Sequence, residues 1–521
     1  MRIWFQDIAK TFLSIGAVVT GGLLSADPVF SAESRHVVVV VWDGMRPDFV
    51  TEENTPALWK LAKGGVVFRN HHAVYPSATN VNGAALATGD YPSHTGLIAN
   101  HEFRPNIDNR KPVDVEEPHV VRKGDDLSAG KYVAAPTITE LVQKSGGRSI
   151  IAASKTVGLL HDRHFDPREK NGVTLSAGMS WPSEVLGWVV GALGPFPKSH
   201  SEQDNWTTKV LGNLLWKDGV PLFSLLWLGE PDLTQHETAP GAAPALRAIK
   251  SSDDNLAAVL SALDRQHARP ATDLFIVSDH GFSTIEHEIE LPKILTDAGF
   301  GVVTEFESEP HTGQIMMVGG GGSVLFYVVQ HDAAVAQRLV EFLQRSDFAG
   351  VIFTKKKLEG TFTLDQGKID TPDAPDAVLS FRWNENKNQF GVAGMIDADW
   401  QRAAGKGTHA TLSRFDMHNM LIAAGPDFRR GQVDDLPSGN VDLAPTILKI
   451  LGISAPHRVD GRVLSEAMTG IELQPLQSQT KTIEAAKRFS SGIWRQTLRT
   501  SRVGSTSYLD DGNGKFEAAE K

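Results

Sequence analysis

Residues 37–44 read Val37-Val38-Val39-Val40-Val41-Trp42-Asp43-Gly44. Five β-branched residues and a Trp follow one another with no polar alternation. That is the pattern of a strand covered on both faces. A carboxylate and a glycine end it abruptly. In an open parallel sheet, ligands bind beyond the carboxyl ends of such strands, so Asp43 is a candidate site residue by position alone. Outward from here, Pro56–Gly64 reads as a helix stopped by Gly64-Gly65. Leu222–Leu228 and Leu274–Val277 are further apolar runs, and Leu256, Val259, Leu260 and Leu263 recur between them at helical spacing. Val324–Val329 reads as a strand. The helix after it carries Val335, Leu339, Phe342 and Leu343 on one face, with Asp332 as its N-cap. Met420–Ala423 and Ala444–Leu451 add a strand and a helix. The alternation predicts an α/β protein: a three-layer α/β/α sandwich on a mostly parallel central sheet. A core unit over 36–468 is expected, with cap insertions around 101–215 and 301–400, where obvious site candidates are few. Residues 469–521 read as a polar C-terminal tail with one helical stretch and a final hairpin turning at Asn513-Gly514. Asp511 to Lys515 also resembles part of an EF-hand loop, but the hairpin is the better reading.

The chain has 521 residues, of which 18 are His and none is Cys. No disulfide framework, thiolate zinc site or cysteine nucleophile can exist, so a metal would have to sit on His nitrogen and carboxylate oxygen. Net charge is −11, which disfavours duplex nucleic acid or an anionic membrane as a partner. At the N-terminus, Arg2 and Lys10 lead into the apolar run Thr11–Leu24. Residues 1–32 are read as a cleaved signal peptide, with an uncleaved membrane anchor as the alternative. An exported, periplasmic or extracellular protein without a stable span in its mature chain is expected.

Four motifs place acidic or imidazole groups at strand ends or loops. They are Asp43-Gly44, Asp232-Leu-Thr-Gln-His236, Asp279-His280-Gly281 and Gly407-Thr408-His409. Each alone is more often a turn, a cap or a packed histidine. Together they supply three Asp and three His, an oxygen-and-nitrogen set suited to paired Zn²⁺ or similar ions. A hydroxyl lies where a nucleophile would be needed. Tyr75-Pro-Ser-Ala-Thr79-Asn80 leads into the small-residue stretch Gly83–Gly89. If a helix starts at Thr79, its hydroxyl meets unpaired amides and the positive dipole end. The plainer reading of Thr79 is an N-cap.

These motifs carry a specific resemblance. WDGMRPD, TPALWKLAKGGVVF, YPSATNVNGAALATGDYPSHTGLIAN, EPDLTQH, IVSDHGF, GTH and VDLAPTILKILGI occur in this order. In that order they resemble the alkaline phosphatase superfamily, and within it the type I phosphodiesterase/nucleotide pyrophosphatase family. The resemblance implies a two-zinc hydrolase of phosphate esters acting through a covalent phosphothreonine on Thr79. Its substrate would be a small phosphorylated molecule such as a nucleotide or phosphodiester. Carried over residue by residue, one zinc takes Asp232, His236 and His409, and the other takes Asp43, Thr79, Asp279 and His280. Asn100 in GLIAN matches the Asn that donates a hydrogen bond to a phosphoryl oxygen. The chain departs from the family after GTH, where Ala-Thr-Leu-Ser replaces Gly-Tyr-Asp. His418 therefore competes with His409 as a ligand, and His409 is preferred because His418 starts an apolar strand. Asn80-Val-Asn82-Gly also replaces Pro-Asn-His.

Rival readings stay open. A phosphomonoesterase or phosphonate hydrolase of the same superfamily is the nearest. A monoesterase calls for a cation near the phosphate; Arg46 is close in sequence but is expected to cap or to face solvent. A sulfatase ranks lower, since no Cys is present and PSATN lacks the formylglycine context. A catalytically inactive binding protein would be expected to lack ligands, and all seven are present. The residues do not set an oligomeric state.

Overall fold

The computed structural model describes residues 35–163, 171–471 and 476–519. The expected signal segment lies outside them. Among the described residues no helix is long and apolar enough to cross a membrane.

The valine run is the central strand. We label the strands of its sheet in chain order: β1 His36–Trp42, β2 Val66–Phe68, β3 Ser149–Ala153, β4 Gly172–Ser176, β5 Met179–Trp181, β6 Phe223–Leu228, β7 Thr272–Val277, β8 Leu421–Ala424 and β9 Gln432–Asp434. Their order across the sheet is β9-β2-β8-β7-β1-β6-β3-β4-β5. β1 lies parallel to both β7 and β6, and β6-β3-β4 continue in parallel. β8 and β5 run antiparallel to their neighbours β7 and β4. Because side chains alternate along a strand, the run feeds two cores at once. Val37, Val39 and Val41 pack with Leu86, Leu443 and Ile447 on one face. Val38, Val40 and Trp42 pack with Leu58, Ile249, Leu256 and Leu263 on the other. Two helical layers on one sheet make the expected three-layer α/β/α sandwich.

The register brings the site motifs to one edge. Trp42 pairs with Leu228, Val41 with Val277, and Ala153 with Trp227. The residues just beyond these pairs are Asp43, the loop to Asp232, Asp279 and Lys155.

Two boundary expectations need correction. The stretch around 101–215 is not simply an insertion, since it contributes β3, β4 and β5 to the central sheet. These three strands carry no Asp or His directly at their carboxyl ends, so no site motif marks them in the sequence. Residues 301–400 contribute to a separate six-stranded sheet that includes Ile315–Gly319, Ser323–Val328, Ala349–Thr354 and Ala377–Phe381. Among its described residues the polar tail has neither the expected helical stretch nor a turn at Asn513-Gly514. It is an antiparallel meander of Ser478–Phe489, Gly492–Val503 and Thr506–Ala518. Its middle strand buries Trp494, Gln496 and Leu498 at period two. Gln496 bonds the amide and the carbonyl of Ile352 at 2.7 and 3.1 Å, stitching the meander to the six-stranded sheet. Gly514 sits mid-strand because a Cβ there would overlap the carbonyl oxygen of Gly350. Close backbone approach, not turning, is its reason.

The packed interior also buries histidines. His161 stands edge-on to Trp227, with ring centroids 5.8 Å apart, and burial pushes its pKa down to about 3. An unfolded His titrates near 6.5, so between about 6.5 and 3 the unfolded chain binds the extra proton. Stability from this residue is present above that window and lost as pH falls through it. His161→Leu should therefore flatten the acid limb of stability by up to about 1.4 kcal/mol per pH unit. Urea unfolding of both chelated proteins at pH 7 and 5 measures it, and an unchanged slope would refute the assignment.

Candidate active site

Each expected ligand is set by its element. Asp43 follows β1, and its main-chain oxygen accepts from the Asp232 amide at 3.0 Å. Asp232 opens a helix, Asp232–Thr238, so His236 lies one turn on and on the same face. His236 Nε2 stands 3.3 Å from Asp232 Oδ1, and His409 Nε2 stands 3.5 Å from it. The second group lies beside the first. His280 Nε2 is 3.5 Å from Asp43 Oδ1, 3.2 Å from Asp279 Oδ2 and 4.0 Å from Asp232 Oδ1. The rings of His280 and His409 stack at 3.7 Å. Thus Asp232, His236 and His409 form one compact ligand cluster, and Asp43, Asp279 and His280 form another.

The hydrogen bonds show which atoms point inward. Nδ1 of His236, His280 and His409 faces the carbonyl oxygens of Gly407, Gly281 and Ser77 at 3.0, 2.8 and 2.8 Å. A carbonyl can only accept, so each Nδ1 carries the proton and each Nε2 offers a lone pair. The carboxylates are likewise half-used. Asp43 Oδ2 accepts from Trp227 Nε1 at 3.0 Å and Lys155 Nζ at 2.8 Å. Asp279 Oδ1 accepts from the amides of Gly44 and His280 at 3.0 and 2.9 Å. Their other oxygens, Asp43 Oδ1 and Asp279 Oδ2, and with them Asp232 Oδ1, are buried without a hydrogen-bond partner. Three orphaned anionic oxygens facing three imidazole lone pairs fit divalent cations and little else. Two other groupings, Asp90-His94-Asp460 and Glu286-His287-Asp397, differ. Their imidazoles already bond Asp460 and Asp397 at 2.7 and 2.8 Å.

The electrostatics agree. Burial, then the charge of Asp279, raises the Asp43 pKa well above the usual range. Burial pushes Asp279 up to about 7. Burial opposes ionisation of Asp232 too, but Lys155 and His236 outweigh it and hold its pKa well below normal. Burial and the neighbouring His280 lower His409. Carboxylates crowded this closely call for positive charge.

Thr79 is the first residue of the helix Thr79–Thr88; Ala78 is the N-cap. The plain capping reading of Thr79 is therefore set aside. Its Oγ1 lies 3.3 Å from His280 Nε2, beside the second cluster. Asn100 Oδ1 accepts from the Asn80 amide at 2.9 Å, which turns the NH₂ end of the carboxamide outward as a donor. Asn82 braces the same helix start, accepting from the amide of Val74 and from Asn440 Nδ2 at 2.7 and 2.9 Å. His418 joins neither cluster. It packs edge-on to His72 at 4.7 Å, and burial lowers its pKa to about 3. Arg46 neither caps nor faces solvent. It is buried, paired to Asp48 at 2.6 Å and donating to the carbonyls of Phe282 and Ala393. Proximity in sequence concealed its job, which is to tie the loop after β1 to the loop after His280.

Lys155 went unnoticed in the sequence. Yet it follows the apolar run Ser149–Ala153, so the strand-end argument that found Asp43 applies to it equally. Close packing also holds the Asp279-His280 turn, because a Cβ on Gly281 would overlap the carbonyl oxygens of Phe415 and His418. Gly281→Ala should lower stability by about 2 to 4 kcal/mol and weaken metal retention. Thermal melts with and without zinc read both, and wild-type melting would contradict the packing argument.

Comparison with known proteins adds the lineage. A family model described as type I phosphodiesterase/nucleotide pyrophosphatase matches residues 37–390. Venom phosphodiesterase 2 of Crotalus adamanteus is 23% identical over 260 residues, covering 49% of this chain and 27% of that protein. Ectonucleotide pyrophosphatase/phosphodiesterase family member 3 of Rattus norvegicus is 22% identical over 496 residues, covering 89% of this chain and 47% of its own. The chain spans about a quarter to a half of the length of these curated relatives. Among solved structures, murine ectonucleotide pyrophosphatase/phosphodiesterase 5, an inactive threonine-to-alanine form in complex with AMP, superposes with a TM-score of 0.60 at 18% identity. The match covers 84% of this chain and all of that one, and shows a shared fold.

Proposed function

The chain belongs to the type I phosphodiesterase/nucleotide pyrophosphatase family, and from that membership we propose that it hydrolyses phosphodiester or pyrophosphate bonds in small substrates such as nucleotides. The reaction runs through Thr79 at a two-zinc site. One observation carries the reading: three orphaned carboxylate oxygens and three imidazole lone pairs converge, with a threonine hydroxyl 3.3 Å from one of those imidazoles. Asp232, His236 and His409 would hold one ion, and Asp43, Asp279, His280 and Thr79 the other. Bound zinc supplies positive charge for the ionised hydroxyl and for the leaving oxygen. Thr79 Oγ1 attacks phosphorus, an Oγ1–P bond forms, and the bond to the leaving group breaks. Water then splits the phosphothreonine and restores the hydroxyl. The Asn100 amide and the backbone N–H groups at the helix start steady the non-bridging oxygens. That the relatives are named as ectoenzymes and venom enzymes supports export, in line with the apolar N-terminal segment.

The test is hydrolysis of bis-p-nitrophenyl phosphate by purified protein. Chelation should cut the rate at least about 100-fold and Zn²⁺ should restore it. Full activity after exhaustive chelation would defeat the metal assignment.

A further inference from the structure

We propose that a cleft at the amino-terminal end of the central sheet binds an aliphatic chain carrying an acidic head group. The site is separate from the two ligand clusters and does not depend on the phosphoryl-transfer reading above.

Two helices, Pro56–Gly64 and Ala243–Arg265, cover the sheet face that carries Val38 and Val40. Asp253 of the longer helix ties them at one end, accepting from the amides of Ala57 and Leu58 at 2.9 and 2.8 Å. Beyond this tie a cleft of about 810 Å³, lined by both helices, reaches down to the sheet. Thr272 and Leu274 at the start of β7 and Ala424 at the end of β8 lie in it. Asp279 follows the other end of β7, roughly 16 Å along the strand from Leu274. The cleft is thus at the far end of the sheet from the metal ligands.

Its lining is two-sided. Leu61, Leu260 and Leu274 make it aliphatic, and no aromatic ring is among its lining residues. Lys60, Arg269 and Arg430 also line it, against one acid, Asp264. Among the described residues none of these three cations makes an ion pair or a side-chain hydrogen bond. Helix dipoles do not account for them, because the basic residues in the last turns of the two helices are Lys63 and Arg265. Those two are engaged: Lys63 lies over the Trp59 ring at 5.3 Å, and Arg265 bonds Ser261 and Asn213 at 3.1 and 2.8 Å. Arg429, next to Arg430, likewise donates to the carbonyl of Met468 at 3.1 Å. Burial pulls the Arg269 pKa down, and Asp264 only partly opposes this. Three unpaired cations around one cleft stand out in a chain whose net charge is −11.

Lining and charge together select the occupant. The volume falls within the roughly 300–1,000 Å³ of ordinary small-molecule sites. A neutral hydrocarbon would leave the three cations unused, and an inorganic anion would leave the leucines unused. A nucleoside phosphate fits poorly, because the cleft has no ring to stack on and its two side-chain hydroxyls are engaged. Thr272 Oγ1 donates to the carbonyl of Ala268 at 2.8 Å, and Ser261 Oγ accepts from Arg265 at 3.1 Å. A chain of methylenes can lie on the leucines while its carboxylate or phosphate end meets the guanidinium and ammonium groups. Binding is non-covalent, and no bond forms or breaks.

The experiment is calorimetric titration of zinc-loaded protein with decanoate and with decylphosphonate, below their micellar concentrations. Hexanoate and hexylphosphonate test the chain, and decyltrimethylammonium tests the charge. The variants are Lys60→Gln, Arg269→Gln, Arg430→Gln and Ala257→Glu, the last placing a carboxylate at an exposed helical position that lines the cleft. At least one ten-carbon anion should bind at one site per chain, and the tighter of the two identifies the head group. Each Gln variant should weaken it by about 3- to 10-fold, and Ala257→Glu by at least about 10-fold. Shortening the chain should weaken binding by up to about 4-fold per methylene removed. Thermal melts and hydrolysis of bis-p-nitrophenyl phosphate should match wild type in all these variants, since the cleft lies at the far end of the strands. No binding of either anion, equal affinity in wild type and every variant, no dependence on chain length, or equal affinity for decyltrimethylammonium overturns the proposal. Binding that disappears when zinc is chelated also overturns it, because the anion would then sit on the metal. A zinc-loaded protein that binds the anion in the expected pattern but cleaves no diester supports the cleft and defeats the proposed function.

Discussion

Thr79→Ala should lower kcat for bis-p-nitrophenyl phosphate by about four to six orders of magnitude, because it deletes the proposed nucleophile. The fold should barely notice. Thr79 occupies the first helical position, Ala78 is the N-cap, and no side-chain cap bond is made there. Removing a true Thr cap would cost about 1 kcal/mol, and that cost is not expected here. Thr79→Ser keeps the hydroxyl but frees the rotamer that β-branching restricts, so about a tenth to a hundredth of the rate should survive. Steady-state kinetics beside thermal melts and zinc analysis distinguish the outcomes. An alanine variant that retains both zinc and near wild-type turnover would remove Thr79 from the mechanism. An alanine variant that loses activity only because it unfolds would return it to a capping role.

Asp232→Asn is the second large effect. Its Oδ1 lies within 3.3, 3.5 and 4.0 Å of Nε2 on His236, His409 and His280, so it touches both clusters. Its Oδ2 pairs with Lys155. The amide keeps the shape but removes the negative charge that the proposed ion and the Lys155 ammonium both face. One zinc per chain should be lost, and kcat/KM should fall by about three to five orders of magnitude. Metal analysis after gel filtration decides the matter. Two zinc ions retained at wild-type rate would show that Asp232 is not a ligand.

Much of the site was readable because the physics acting on it is local. A buried parallel strand has no polar residue to spare, so a carboxylate at its end stands out, as at Asp43 and Asp279. Asp232 and His236 were readable because one helical turn puts them on one face. Asn100 was matched only through resemblance, and Thr79 and His409, though they stood out as a hydroxyl at a helix start and an imidazole in a motif, took specific roles only through it, since a lone hydroxyl, amide or imidazole in a loop has many ordinary uses. The C-terminal meander was misread because its exposed strand Ser478–Phe489 carries almost no apolar alternation. Its register comes from the neighbouring strand Gly492–Val503, which it pairs along its whole length.

The layer architecture and the set of candidate ligands follow from the sequence alone. A run of five valines can be satisfied only between two apolar faces, and a chain without Cys must bind metal through oxygen and imidazole nitrogen. How those candidate ligands are oriented is set by tertiary contacts. The carbonyls of Gly407, Gly281 and Ser77 choose each imidazole's tautomer, and Trp227 and the amides of Gly44 and His280 choose which carboxylate oxygen is left free. Lys155 meets both clusters only because β3, β6 and β1 end side by side. Such pairings join residues up to several hundred positions apart. Their strength depends on distance and burial in space, and no local pattern along the chain encodes either.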